Sequence, residues 1–323
     1  MTDARRLTRP RAQKKARRRA PDTAKSPDAF VELVRFSRAG DQFHYLWAAR
    51  RILKLIDPHA TLVAVAIEGV SKLEAGDFEA TRAGEAVVDL TEYAGNERLE
   101  AAAEVRYVQL KHSTQRADEA LGAAGLADTL RGFAQRYAAQ RRAHGDPVAD
   151  KLRFEFVTNR PIEPRVLESV ADLVAGDTPR HARTAKALVG YVKLDSEAPR
   201  FWRALQLRGG QGNRHAQQAE LHLDVGSYLP GPDIHGPLQL KELVVQRTLP
   251  EHASDPVVRK MDVLRALGVS PDEIFPAPNR IDAPVALIPR AQEAEIARDI
   301  VENASPLIVE APSGVGKSVA AGV

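Results

Sequence analysis

Four polar side chains interrupt three apolar segments of the chain, and their types suit phosphodiester hydrolysis. Gln109 and Lys111 lie two residues apart in "VRYVQLKHST" (105–114), so a strand would place both on one face. Asp89 interrupts the preceding apolar segment, and Glu68 ends the segment before that. Carboxylate and amide oxygens bind Mg²⁺ or Mn²⁺, and a lysine can orient or deprotonate the attacking water. We therefore predict Glu68, Asp89 and Gln109 as metal ligands and Lys111 as the residue that activates water.

The surrounding sequence predicts an α/β fold with the element order α-β-β-β-α-β. The helical segments space their apolar residues on one face, and the strand segments are rich in β-branched residues. The predicted elements are a helix at 37–57, strands at 61–69, 85–93 and 104–113, a long amphipathic helix at 117–143 and a strand at 151–159. Because neighbouring strands lie about 4.8 Å apart, a meander of the first three strands would bring the four polar side chains to one end of a small sheet.

These features resemble the PD-(D/E)xK nucleases of the restriction-endonuclease-like superfamily, and more closely its Mrr-like and Cap-type branches, in which Gln-x-Lys replaces (D/E)-x-Lys. The family has an α-β-β-β-α-β core with the acid on the second strand and the motif on the third, and here Asp89 and residues 109–111 take those places. The segment "GDQFHYLWAA" (40–49) is similar to the family's first helix, which often has Glu or Gln where this chain has His44. The resemblance covers about residues 28–160. It implies a metal-dependent endonuclease that acts on double-stranded DNA.

The Gln-x-Lys pattern alone is not specific, because the chain contains it three times. It also occurs at Gln13 with Lys15 and at Gln239 with Lys241. Only the copy at Gln109 lies in a predicted strand that follows a strand with an isolated acid. The position within the predicted element order therefore selects this copy.

The same residues also have a plainer interpretation. Asp89 and Lys111 could form an ordinary ion pair at a sheet edge, and Glu68 could be a solvated strand end. His44 lies beside an apolar residue on its helix and could serve helix packing rather than catalysis.

A second motif lies at the C-terminal end of the sequence. The segment "PLIVEAPSGVGKSVAAGV" predicts a strand, a loop and the start of a helix, and Ala311–Ser318 fits [AG]-x-x-x-x-G-K-[ST]. Such a loop binds phosphates through its backbone N–H groups, its lysine and, through Mg²⁺, its serine. The residues predicted to contact ATP are Ser313, Gly314, Gly316, Lys317 and Ser318.

This P-loop is followed by five residues, so we expect only the start of an NTPase domain that does not hydrolyse ATP by itself. The predicted division is a disordered basic arm at 1–27, a nuclease-like domain with a helical accessory region at 28–248, a helical connector at 249–285 and the first part of the NTPase at 286–323. This order resembles antiviral STAND NTPases. The resemblance implies a bacterial anti-phage effector that uses ATP and forms a homo-oligomer in the full-length protein.

Composition limits the class of protein. The 323 residues are 44% hydrophobic and 28% charged, with a net charge of +3, which is an ordinary globular balance. There is no cysteine, which excludes disulfides and thiolate metal sites and favours a cytoplasmic location. No apolar run approaches the roughly 20 residues of a membrane span. Residues 1–26 hold ten Lys/Arg against two Asp, which suits either contact with a polyanion or a solubilising tail.

Two alternatives to a nuclease stay open at this point. The first is a catalytically inactive nucleic-acid-binding or oligomerisation module, whose affinity for DNA would come from the basic arm. The second is an ATPase fragment in which residues 28–285 act as a sensor.

Overall fold

Six strands form one mixed sheet in the computed structural model, which describes residues 27–74, 84–229 and 235–271 together with Arg298. The strands are β1 (Leu62–Ile67), β2 (Leu90–Ala94), β3 (Glu104–Lys111), β4 (Leu152–Thr158), β5 (Leu205–Arg208) and β6 (Val257–Arg259). Their order across the sheet is β5-β4-β3-β2-β1-β6. The pairs from β6 to β3 are antiparallel, and β3, β4 and β5 are parallel. The α/β prediction and the meander of β1, β2 and β3 are confirmed.

Helices cover both faces of this sheet. They are α1 (Pro27–Leu53), α2 (Ala127–His144), α3 (Asp146–Ala149), α4 (Pro164–Ala175), α5 (Ala182–Val192), α6 (Ala198–Ala204), α7 (Arg214–Tyr228), α8 (Gly236–Arg247) and α9 (Lys260–Leu267). The buried residues of α1, α7, α8 and α9 pack on one face, which we call the α1 face. Those of α2, α3, α4, α5 and α6 pack on the other, which we call the α2 face.

The alternation of side chains along β3 explains why a strand buried on both faces carries polar groups at its end. Val105 and Tyr107 face the α2 face, whereas Val108 and Leu110 face the α1 face. Gln109 and Lys111 continue the row of Val105 and Tyr107. They therefore lie on the α2 face, where the apolar core gives way to polar groups.

The second predicted strand, at 85–93, is wrong in its first half. Residues Glu85–Val87 form a 3₁₀-helix, and β2 begins only at Leu90. Val87 packs closely against Gly132 of α2, where a Cβ atom on the glycine would overlap the valine side chain. The apolar residues before Leu90 therefore serve helix packing rather than strand pairing.

The long helix predicted at 117–143 begins later than expected, at Ala127. The reason is a parallel bridge between Leu121 and Ile162, in which the Leu121 N–H donates to the Pro161 carbonyl at 2.7 Å. This pairing holds Leu121 beside the chain that follows β4, and a short 3₁₀-helix at Ala123–Leu126 then leads into α2.

The predicted helical connector at 249–285 contributes a strand to the same sheet. Val257–Arg259 pairs antiparallel with β1. Val257 fills the core of the α2 face and Val258 that of the α1 face, which is the pattern of a strand buried on both sides. Helix α9 follows it, and residues 272–285 lie outside the described residues.

A fully buried carboxylate fastens the chain that leaves β1. The two oxygens of Glu74 accept hydrogen bonds from the Tyr93 and Tyr107 hydroxyls, each at 2.6 Å. Gln140 donates to the same carboxylate at 3.1 Å, and Arg136 forms an ion pair with it at 3.4 Å. Because a buried charge needs such partners, this cluster fixes residues 69–74 on the α2 face.

Candidate active site

Backbone hydrogen bonds place three of the four predicted site residues side by side. The Glu68 N–H donates to the Asp89 carbonyl at 2.7 Å, and the Asp89 N–H donates to the Val108 carbonyl at 2.9 Å. Both bonds extend the ladders of β1, β2 and β3 by one position. One end of the meander therefore carries Glu68, Asp89 and Gln109 at adjoining positions. Lys111 lies two residues beyond Gln109 on β3.

Asp89 is half-buried just before β2. One of its carboxylate oxygens accepts a hydrogen bond from the Leu110 N–H at 2.6 Å, and the other has no hydrogen-bond donor among the described residues. Burial raises the pKa of Asp89 above its ordinary value, and the charges of His44 and Lys111 and the Leu110 hydrogen bond oppose this shift. The second oxygen is therefore available to a ligand.

Glu68 follows β1 in a left-handed backbone conformation, with φ of 53°. Such a conformation is uncommon for a residue with a bulky side chain and costs about 1–3 kcal/mol. The next residue, Gly69, is held by the Thr91 hydroxyl, which donates to its carbonyl at 2.6 Å. Burial and then the nearby charge of Asp89 raise the pKa of Glu68, whereas His44 lowers it. The residue as a whole is exposed, its carboxylate is partly buried, and it accepts no hydrogen bond from the described part of the chain.

Gln109 is 7% exposed and is engaged within the fold. Its side-chain oxygen accepts a hydrogen bond from the hydroxyl of Thr129, a fully buried residue in the first turn of α2. The amide oxygen has two lone pairs, so one acceptor position remains beside this hydrogen bond. Sequence reasoning did not find Thr129, because nothing in a helical segment marks one threonine as the partner of a distant strand.

Lys111 is half-buried at the end of β3. Its ammonium forms no ion pair or hydrogen bond with any described residue, although its charge lowers the pKa of Asp89. The plainer interpretation, an Asp89–Lys111 ion pair, is therefore not observed. The ammonium therefore acts on Asp89 through its charge and forms no ion pair with it.

Two histidines lie on or beside α1, and one of them, His44, acts on both carboxylates. The rings of His112 and Phe43 are 5.0 Å apart, and burial followed by the charge of His44 lowers the pKa of His112. His44 in turn lowers the pKa of both Glu68 and Asp89. His44, whose role the sequence left open, is thus an electrostatic neighbour of both predicted metal ligands.

Residues that the sequence did not indicate hold the ends of β3 and β4 together. Lys111 pairs with Thr158 across the two strands. Beyond this pair, the Ser113 N–H donates to the Asn159 side-chain oxygen at 2.9 Å, and the Asn159 amide donates to the Ser113 carbonyl at 2.8 Å. This reciprocal contact fixes the backbone that follows Lys111.

The donor set fits a hard divalent cation with few protein ligands. Two carboxylates and one amide oxygen lie on adjoining strands, and Mg²⁺ typically keeps several waters beside one or two carboxylates. Within residues 27–74, 84–229 and 235–271, no cluster of three or more His, Cys, Asp or Glu side chains could hold a metal. A cation here would therefore depend on Asp89, Glu68, one amide oxygen and water.

Two other predicted features, the P-loop and the basic arm, belong to parts of the chain that the structure does not describe. The P-loop residues of Ala311–Ser318 and the basic arm at 1–26 lie outside the described residues. None of the described helices is both long and apolar enough to cross a membrane.

No protein-family model matches the chain, and a search of curated proteins finds no similar sequence.

Proposed function

We propose that this chain carries a metal-dependent endonuclease of the PD-(D/E)xK type with a restriction-endonuclease-like core, which hydrolyses phosphodiester bonds of double-stranded DNA. One observation carries the proposal. An acid just before the second strand and a lysine at the end of the third, which forms no ion pair with the described residues, lie at the same end of an antiparallel meander, beside a second acid. Such a cluster of like and unlike charges is poorly suited to stability and well suited to binding a cation and a phosphate.

In the proposed mechanism, Asp89 and Glu68 hold Mg²⁺ or Mn²⁺, which when bound would reduce the charge of the phosphodiester and acidify a water. Lys111 donates a hydrogen bond to the attacking water or to a non-bridging oxygen and balances the negative charge that develops there. His44, when protonated, would contribute positive potential next to both carboxylates. The side-chain oxygen of Gln109, which also accepts the Thr129 hydrogen bond, would supply a neutral ligand to the cation.

Cleavage of linear and supercoiled DNA by the purified chain, with Mg²⁺, with Mn²⁺ and with EDTA, tests this proposal. We expect metal-dependent cleavage that Lys111→Ala abolishes. The matched control is Lys241→Ala, because this lysine belongs to an identical Gln-Leu-Lys sequence on helix α8. Wild-type cleavage rates in Lys111→Ala would overturn the assignment of the site.

A second candidate function, a catalytically inactive module that binds nucleic acid or assembles with other copies, is favoured by a different observation. The Gln109 oxygen is engaged by Thr129, and the described residues contain no cluster of three acidic or histidine ligands. This candidate predicts DNA binding that EDTA does not change, together with no Mn²⁺ binding at Asp89. Isothermal titration with Mn²⁺ separates it from the nuclease.

We infer a wider context from the P-loop sequence alone. In the full-length protein, Ser313, Gly314, Gly316, Lys317 and Ser318 would bind ATP, and ATP-driven homo-oligomerisation of a STAND-type NTPase would activate the nuclease in anti-phage defence. Binding of ATP by the full-length protein, with Lys317→Ala as the comparison, tests this inference. Equal ATP affinity of the two proteins would contradict it.

A further inference from the structure

A groove of about 550 Å³ opens between the residues that precede α2, the start of α4 and one face of α5. Its walls include Gly122, Glu163, Arg165, Arg183, Thr184 and Tyr191. The volume lies within the range of about 300–1,000 Å³ that is typical of small-ligand sites.

The groove lies beyond the same edge of the sheet as the candidate active site. Leu121 and Ile162, which follow β3 and β4, pair in parallel immediately before the residues that form two of its walls. The third wall is α5, which packs on the α2 face of the sheet. The side chains of Gln109 and Lys111 point to the same face. A strand of nucleic acid that crosses the carboxylates could therefore continue along this face toward the groove.

Three polar side chains of α5 line the groove without a partner in the fold. Arg183, Thr184 and Tyr191 are spaced so that they share one face of the helix. None of their side chains forms a hydrogen bond or ion pair with the described part of the chain. The neighbouring cation Arg165, by contrast, is paired with Glu163 at 2.6 Å. Arg183 is therefore the cation of the groove that remains available to bind an anionic ligand.

We propose that this groove binds the phosphate of a nucleotide, presented either by a strand of nucleic acid or by a free mononucleotide. The Arg183 guanidinium suits a phosphate because it can donate two parallel hydrogen bonds. The Thr184 hydroxyl is a second donor, and the Tyr191 ring offers a surface for a base or sugar.

Phosphate binding in this groove needs no metal, so the inference goes beyond the proposed nuclease. Only the version in which a nucleic-acid strand presents the phosphate rests on the nuclease function. The experiment is fluorescence anisotropy of a labelled oligonucleotide of about 12 nucleotides, with EDTA present throughout, competed by unlabelled strands, thymidine monophosphate and inorganic phosphate. The variant is Arg183→Gln. The control is Lys186→Gln, which removes the same charge from an exposed residue of α5 that does not line the groove.

We expect Arg183→Gln to weaken binding by at least about tenfold, because charge-assisted hydrogen bonds to the phosphate are lost, whereas Lys186→Gln leaves the affinity unchanged. Competition by the mononucleotide would identify a free nucleotide as the ligand, and competition by strands alone would identify a nucleic-acid strand. Equal affinity of both variants, or no binding at all, would overturn the inference. Binding that depends on Arg183, together with no cleavage of DNA by the full-length protein in Mg²⁺ and ATP, would keep the groove and reject the nuclease.

Discussion

The Leu110 backbone N–H donates a hydrogen bond of 2.6 Å to the Asp89 carboxylate, so the strand that carries Gln109 and Lys111 also orients the acid of its neighbour. This bond uses only one carboxylate oxygen. An asparagine at position 89 could accept the same bond, because its side-chain oxygen has the same reach. The charge of Asp89 can therefore be removed without removing its place in the fold.

Asp89→Asn should abolish metal-dependent cleavage and at the same time stabilise the metal-free protein. Burial raises the pKa of Asp89, which means that the fold disfavours its ionised form at neutral pH. In EDTA we expect a melting temperature about 2–4 °C higher than that of the wild type, measured by differential scanning fluorimetry. Asp118→Asn, at an exposed acid near the same edge, is the control and should change neither quantity. A lower melting temperature for Asp89→Asn would show that the carboxylate serves stability.

The pKa of Glu68 should fall toward its ordinary value of 4.5 when the charge of Asp89 is removed. In the wild type, burial and the Asp89 charge both raise the pKa of Glu68. Carboxyl ¹³C chemical shifts, followed through a pH titration of wild type and Asp89→Asn, measure this change directly. An unchanged Glu68 titration would mean that the two carboxylates do not share a site.

The affinity for Mn²⁺ should fall on acidification at a higher pH than ordinary carboxylates would require. Both ligands must be ionised to bind the cation, and the pKa values of Glu68 and Asp89 are both raised in the fold. The stability of the metal-free protein should change in the opposite direction. Because the carboxyl pKa values are raised in the fold, the free energy of unfolding falls as the pH rises through those values. Titration calorimetry with Mn²⁺ across this pH range tests both signs, together with melting curves in EDTA. Constant affinity down to the ordinary carboxyl range would contradict the assigned ligands.

Substitutions of Thr129 and Gln109 should have non-additive effects on the free energy of unfolding, because both remove the same hydrogen bond. Thr129→Val leaves the buried Gln109 oxygen without its donor, which should cost about 1–3 kcal/mol of unfolding free energy. Adding Gln109→Leu removes the other partner as well, so the second substitution should cost less in that background than in the wild type. Urea unfolding of the four proteins gives the coupling energy. Strict additivity would show that the bond contributes nothing.

Local patterns in the sequence predicted that Gln109 and Lys111 share one face of the sheet. Alternation along β3 is a property of adjacent residues, and it places Gln109 and Lys111 on one face as predicted. Context within the element order also separated the copies of Gln-Leu-Lys: the copy at 109–111 lies in a strand, whereas the copy at 239–241 lies in helix α8. Both predictions depended only on neighbouring residues and on chain order.

Contacts between distant residues could not be predicted in the same way. The hydrogen bonds that position the site join Gln109 to Thr129 and Ser113 to Asn159, and no local pattern marks either pair. The three-residue strand at Val257–Arg259 is equally hidden, because it becomes a strand only by pairing with β1. Partners of this kind are chosen by packing rather than by propensity.

Arg136→Met should be among the most destabilising substitutions in the chain and should also weaken Mn²⁺ binding. It leaves the fully buried Glu74 carboxylate without its cationic partner, which typically costs about 3–5 kcal/mol. Because Glu74 fastens the segment that follows Glu68, loss of the ion pair should also loosen one predicted metal ligand. Arg131→Met is the matched control on the same helix: its ion pair with Asp128 is exposed, so the expected cost is below about 1 kcal/mol.

Urea unfolding and Mn²⁺ titration of both variants decide this last prediction. The two effects of Arg136→Met separate if Glu74→Gln is also measured, since this substitution removes the buried negative charge. Its amide oxygen can still accept from one tyrosine hydroxyl, and its NH₂ can donate to the oxygen of the other. Restored stability in the Glu74→Gln, Arg136→Met double variant, together with restored Mn²⁺ affinity, would assign both losses to the unpaired carboxylate. Restored stability with persistently weak Mn²⁺ binding would instead mean that the Glu74 charge itself, and not merely a well-packed segment, keeps Glu68 in place.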